Sequence, residues 1–103
     1  MVQIAKRLVE NIPADPVAFW LARLDADTRP ANHSHFERWL RWLQKQPNWE
    51  YVTARDLLVR QLAAEDQYVV LDLLQTYVSG LVLRKSSKRK AYSTIRSFFD
   101  HNR

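Results

Sequence analysis

The sequence predicts an all-α domain, a single bundle of about five helices. Three observations carry that expectation. Apolar residues recur three and four positions apart along most of the chain. Capping residues and prolines punctuate it at helix-length intervals. One glycine in 103 residues is too few for the turns of a β-sandwich or barrel. No alternating pattern competes. With 47% hydrophobic and 26% charged side chains, the chain is long enough for one modest core and too apolar to be disordered.

Residues 1–14 read as an N-terminal arm or a short helix on Ile4, Leu8 and Val9, ahead of a main domain at 15–103. Asp15-Pro16 starts the first helix, a capping carboxylate followed by proline at the first helical position. Val17, Trp20, Leu21 and Leu24 line one side of it, and Asp25-Ala26-Asp27 ends it. Thr28 is placed to cap the second helix, whose stripe is Phe36, Trp39, Leu40 and Leu43, widened by Trp42. Gln46-Pro47-Asn48 stops that helix, and Trp49, Tyr51 and Val52 are expected to plug the bundle from the loop. Thr53 opens a third helix to about residue 63, burying Leu57, Leu58 and Leu62.

Asp66 is the expected cap of a fourth helix over 67–79, with Gly80 at its C-terminal end. Val69, Val70, Leu73, Leu74, Tyr77 and Val78 ring this helix, which predicts that it is the centre of the bundle. Ser86 or Ser87 then caps the last helix, which runs to about residue 101. On a 100° wheel Ala91, Ile95, Phe98 and Phe99 share one side, opposite Arg89, Ser93, Arg96 and Asp100. The shared core is expected to include Trp39, Leu40, Leu43, Leu73, Leu74, Ile95 and Phe98.

Composition removes several function classes. Without cysteine there is neither a disulfide nor a thiolate metal site, in keeping with a cytoplasmic protein. A single glycine excludes the phosphate-binding loop and the dinucleotide fingerprint. Residues 1–10 lack the apolar core of a signal peptide, and the most apolar stretch, 69–83, is too short to span a membrane and is broken by Asp72 and Gln75. His33 and His35 point about 200° apart on a helix and cannot share a metal. Asp25, Asp27, Glu65 and Asp66 fall at helix junctions, where capping accounts for them. No nucleophile–base pair and no paired carboxylates emerge, so neither a catalytic site nor a cofactor is expected.

Charge is where the sequence is most informative. Residues 84–103 hold seven of the sixteen Lys and Arg but one acid, Asp100, while the other 83 residues carry nine basic and ten acidic side chains. The excess is concentrated in Arg84-Lys85-Ser86-Ser87-Lys88-Arg89-Lys90. Cationic side chains, hydroxyls and helix-terminal N–H groups are the usual contacts to phosphate, so this segment points to nucleic acid. The four tryptophans are expected to pack the core rather than stack on bases, because Trp20, Trp39 and Trp42 lie in apolar stripes.

The order of these motifs resembles the SAM-like, N-terminal core-binding domain of the tyrosine recombinase, or phage integrase, family. A threonine-capped helix with an aromatic stripe (Thr28, Phe36, Trp39, Leu40, Trp42, Leu43) leads to Trp49-Glu50-Tyr51-Val52-Thr53, similar to the family's W-x-x-V-T. A basic Ser/Thr turn and a helix ending Ile95-Arg96-Ser97-Phe98-Phe99 follow. Phe19-Trp20-Leu21-Ala22-Arg23-Leu24 is also similar to some integrase-like sequences. The likeness covers about residues 15–102, although the run between Thr53 and Gly80 is longer and more hydrophobic than in many members. It implies one jaw of a clamp on duplex DNA, with Thr28, Arg29, Asn32 and His33 and with Ser87, Lys88, Arg89, Lys90, Ser93 and Arg96 toward the major groove. Arg84 and Lys85 join them from the basic run. The family's catalytic Arg, His and Tyr belong to a C-terminal domain not contained in this sequence, so no cleavage by this chain alone is implied. Its partners would be DNA, that catalytic domain and other recombinase protomers, with no membrane. A free-standing helical DNA-binding regulator, or a protein-interaction bundle with a basic docking face for an acidic partner, would share the same charge pattern.

Overall fold

The computed structural model describes residues 12–62 and 67–102. Among them the chain forms five helices and no strand: α1 (Pro16–Leu21), α2 (Arg29–Leu43), α3 (Ala54–Leu62), α4 (Gln67–Ser79) and α5 (Lys85–His101). The all-α expectation holds. The expected Asp66 cap, Glu65, most of the 1–14 arm and the burial of Leu62 lie outside the described residues.

Local chemistry sets most helix ends. Asp15 Oδ1 accepts from the Ala18 N–H at 3.1 Å, with Pro16 in the first turn. Helix α1 then stops three residues before the expected Leu24. Its last carbonyls turn instead to Arg29, whose Nε donates to Leu21 O at 2.8 Å and Leu24 O at 3.0 Å, and whose Nη2 donates to Ala22 O at 3.3 Å. Thr28 occupies the position before α2 but does not cap it through its side chain: its hydroxyl donates backward to Asp25 O at 2.8 Å. Thr53 does cap α3, reciprocally. Its Oγ1 accepts from Asp56 N at 3.1 Å while Asp56 Oδ2 accepts from Thr53 N at 2.9 Å, an aspartate version of the capping box.

Three further expectations are corrected. Tyr51 does not plug the bundle but is 92% exposed, because the 3.2 Å bond from Val52 N to Trp49 O closes a turn that directs those two inward and Tyr51 out. Helix α4 is not enveloped. Val70, Leu74 and Val78 form one buried stripe against α2, α3 and α5, while Tyr68 and Val69 face solvent. Neither serine caps α5, since Arg84 is its extended N-cap residue and Ser86 and Ser87 already lie in the first turn. Gly80 is not left-handed; that conformation falls to Asn48, at φ 72°, in the α2–α3 loop.

The centre is aromatic. Trp20 of α1, Phe36 and Trp39 of α2, and Phe98 and Phe99 of α5 are all buried. The Phe36 and Phe98 rings lie 4.4 Å apart, and Trp20 meets Phe98 edge-on at 5.7 Å. Trp20 also donates its indole N–H to Ser97 Oγ at 3.0 Å. Asn102 Nδ2 ties the end of α5 to Phe98 O at 2.8 Å and to Pro16 O at 3.3 Å. Of the expected core, Trp39, Leu43, Leu74, Ile95 and Phe98 are fully buried, whereas Leu40 and Leu73 pack at its edge. Ile12 belongs to the core as well. Arg55 Nη1 donates to the Ile12 and Pro13 carbonyls at 3.2 and 3.4 Å, so the packed domain already includes residues ahead of 15.

Truncating Phe98 to Ala should destabilise the domain by about 3–5 kcal/mol, read as the shift of a urea unfolding curve. Gly80→Ala should instead stabilise it by about 0.4–1 kcal/mol: the backbone there is not left-handed, and a new methyl would meet carbonyls at an ordinary 3.6 Å.

Candidate nucleic-acid interface

Burial of one side of α5 decides what its other side offers. Ala91, Ile95, Phe98 and Phe99 are locked into the core. Arg89, Ser93, Arg96 and Asp100 therefore face solvent, as the wheel predicts. Arg84, Lys85, Ser87 and Lys90 are exposed too. Among the described residues, Arg84, Lys85, Arg89 and Lys90 make no side-chain hydrogen bond or ion pair. Arg96 Nη1 donates to the Tyr92 hydroxyl at 3.5 Å. A row of unpaired, hydrated cations on a rigid helix is suited to successive phosphates.

Other expected contacts are already engaged within the fold. Lys88 is half-buried, and its Nζ donates to Ser79 O at 3.0 Å, satisfying a carbonyl at the end of α4. Arg29 does the same for three carbonyls at the end of α1. Thr28 donates to Asp25 O, and His33 Nε2 lies 3.3 Å from Glu37 Oε1 one turn on. Asn32 differs: it is half-buried, and its backbone N–H, not its side-chain amide, bonds to Thr28 O. Of the α2 positions carried by the resemblance, none is an unengaged cation.

Other residues of α2, which sequence reasoning did not select, lie near the charges of α5. His35 is half-buried, and its imidazole is held below its ordinary pKa by desolvation and by the charges of Arg38 and Lys90. Arg38 also acts on Tyr77 of α4, partly offsetting the rise that burial imposes on that phenol. Arg38 and Lys90 thus bring two positive charges to bear across α2 and α5 on an imidazole they help keep uncharged. The signal available was the position of Arg38 three residues after His35, on the flank of the aromatic stripe. Beside α5, a groove of about 360 Å³ runs along Gln75, Val78 and Ser79 of α4 and Lys88, Arg89 and Tyr92.

No three His, Asp or Glu residues cluster among the described residues, and no helix there is long and apolar enough to cross a membrane. Comparison of the chain with protein-family models, curated proteins and solved structures finds no match.

The folded imidazole of His35 titrates below its unfolded value, so between the two the unfolded chain binds more protons and stability falls as pH falls. Chemical denaturation from about pH 7 down to about pH 5 should show this loss. In His35→Gln that part of the profile should be flatter, and an unchanged profile would refute the assignment.

Proposed function

We propose that this domain binds duplex DNA through the solvent face of α5, flanked by His35 and Arg38 of α2, as the non-catalytic core-binding jaw of a tyrosine recombinase. The observation that carries this reading is the set of exposed cations, Arg84 at the N-cap and Lys85, Arg89 and Lys90 on α5, which have no partner among the described residues, on a helix whose opposite face is buried. Net charge enters only as support: the excess is local to this helix while the rest of the chain is nearly neutral. In this arrangement the four cations hold phosphates, Ser87 and Ser93 add hydroxyl contacts, and Arg96, further along the helix, is placed to reach a base edge in the major groove. The order of motifs shared with integrase core-binding domains supplies the remaining parts of the proposal. These are a separate catalytic domain as the second jaw, other protomers assembled on DNA, and a cytoplasmic setting.

A single jaw should bind weakly, with a dissociation constant of ~10⁻⁴–10⁻⁶ M near physiological salt. Four phosphate contacts give a slope of log K against log salt of roughly −3.6. Fluorescence anisotropy with a labelled duplex between about 50 and 200 mM salt measures it. Replacing Arg84, Lys85, Arg89 and Lys90 by Ala should bring the slope close to zero without unfolding the domain. Lys88 is left intact because it holds the end of α4. Salt-indifferent binding, or a quadruple variant like the parent, would overturn the DNA reading in favour of an acidic protein partner for the same face.

A further inference from the structure

Between α4 and α5 the chain turns through residues 80–84, and the tip of that turn is apolar. Val82 is 100% exposed and Leu83 50%. The turn is held from behind: Gly80 N–H bonds back to Thr76 and Tyr77 carbonyls at 3.2 Å, and Leu81 N–H bonds to Val78 O at 3.1 Å with its side chain half-buried. Two aliphatic side chains are thus projected from a fixed base into water. Immediately after them come Arg84 and Lys85, which have no partner among the described residues.

We infer that Val82 and Leu83 form an apolar wedge that enters a DNA groove beside the phosphates held by Arg84 and Lys85, unstacking a base step there. The inference rests on the DNA reading of α5. Chain geometry links the two features, because Val82 and Arg84 are separated by two residues, at most about 7 Å of chain. A groove mouth is about 6 Å across in the minor groove and about 12 Å in the major. A phosphate contact by Arg84 or Lys85 therefore leaves the Val82 isopropyl group within about a groove width of the bases. Aliphatic side chains delivered in this way pack on thymine methyls or wedge between base pairs. The same residues fit an anionic bilayer less well. A helix lying on a membrane needs a continuous apolar face, and the apolar face of α5 is already buried against α1, α2 and α4.

Cations and wedge have separable thermodynamic signatures. Phosphate contacts set the slope of log K against log salt, and apolar contact sets a part that salt does not change. In the full chain, Val82→Ser should weaken binding roughly tenfold at every salt concentration with the slope preserved. The pair Arg84→Ala and Lys85→Ala should flatten the slope by about 1.8. A duplex carrying 2-aminopurine should brighten on binding the parent protein, less with Val82→Ser and more with Val82→Phe. Circular dichroism confirms that each variant is folded, as expected for changes at a solvent-facing tip. If Val82→Ser leaves affinity and fluorescence unchanged while salt-dependent binding persists, the wedge is overturned and the DNA reading stands. Absence of any duplex binding by the parent protein overturns both. Binding to phosphatidylserine vesicles that needs Val82, without an effect of Val82 on the duplex, assigns the tip to a lipid surface and overturns the wedge.

Discussion

The contact between Phe36 and Phe98 is the constraint on which the rest of this domain depends. Their rings lie 4.4 Å apart at the meeting point of α2 and α5, with Trp20, Trp39 and Phe99 packed around them. Aromatic pairs of this kind contribute about 0.5–1.5 kcal/mol beyond area burial, and five rings in mutual contact fix the rotation of α5 about its axis. A turn of one residue, about 100°, would draw Arg96 toward this cluster and expel an aromatic ring. Burying an unpaired guanidinium costs several kcal/mol. The exposed cationic face is therefore a consequence of the core: the packing keeps it aimed at solvent.

The cations of this chain do two kinds of work. Helix C-termini leave carbonyls without partners, and here arginine and lysine supply them: Arg29 gathers three at the end of α1, and Lys88 takes one at the end of α4. These side chains stabilise the junctions that position α2 and α5. What is left over is the exposed set at the start and along the outer face of α5, where Asp100 is the one acid of the helix. Counting Lys and Arg overstates the cationic face that is free to bind, because part of the count belongs to the scaffold.

Where α2 meets α5 the fold gathers like charges. Arg38 and Lys90 both disfavour protonation of His35, so this patch is held together by the aromatic packing beneath it and not by its own electrostatics. A bound polyanion would relieve that repulsion, which makes such a patch a better place to receive phosphate than to stabilise the free domain. Tyr77, raised by burial and pulled back by Arg38, records the same field on the α4 side.

Much of the architecture was legible in the sequence because helix periodicity and capping are local. Asp15 reaches Ala18 and Thr53 reaches Asp56, each within one turn, and the 100° wheel of α5 separated Ile95, Phe98 and Phe99 from Arg89 and Arg96 without reference to any neighbour. Only tertiary structure decided which apolar and which charged groups find partners. Tyr51 and Val69 look like core residues in one dimension, yet both are exposed in the fold. Lys88 looks like Arg89, but a carbonyl nine positions back takes its ammonium, and Trp20 bonds a serine 77 positions away. His35 and Arg38 join the α5 face only once α2 lies beside it. Periodicity is written in residues one turn apart, whereas the satisfaction of a polar group depends on what the folded chain brings within about 3 Å of it.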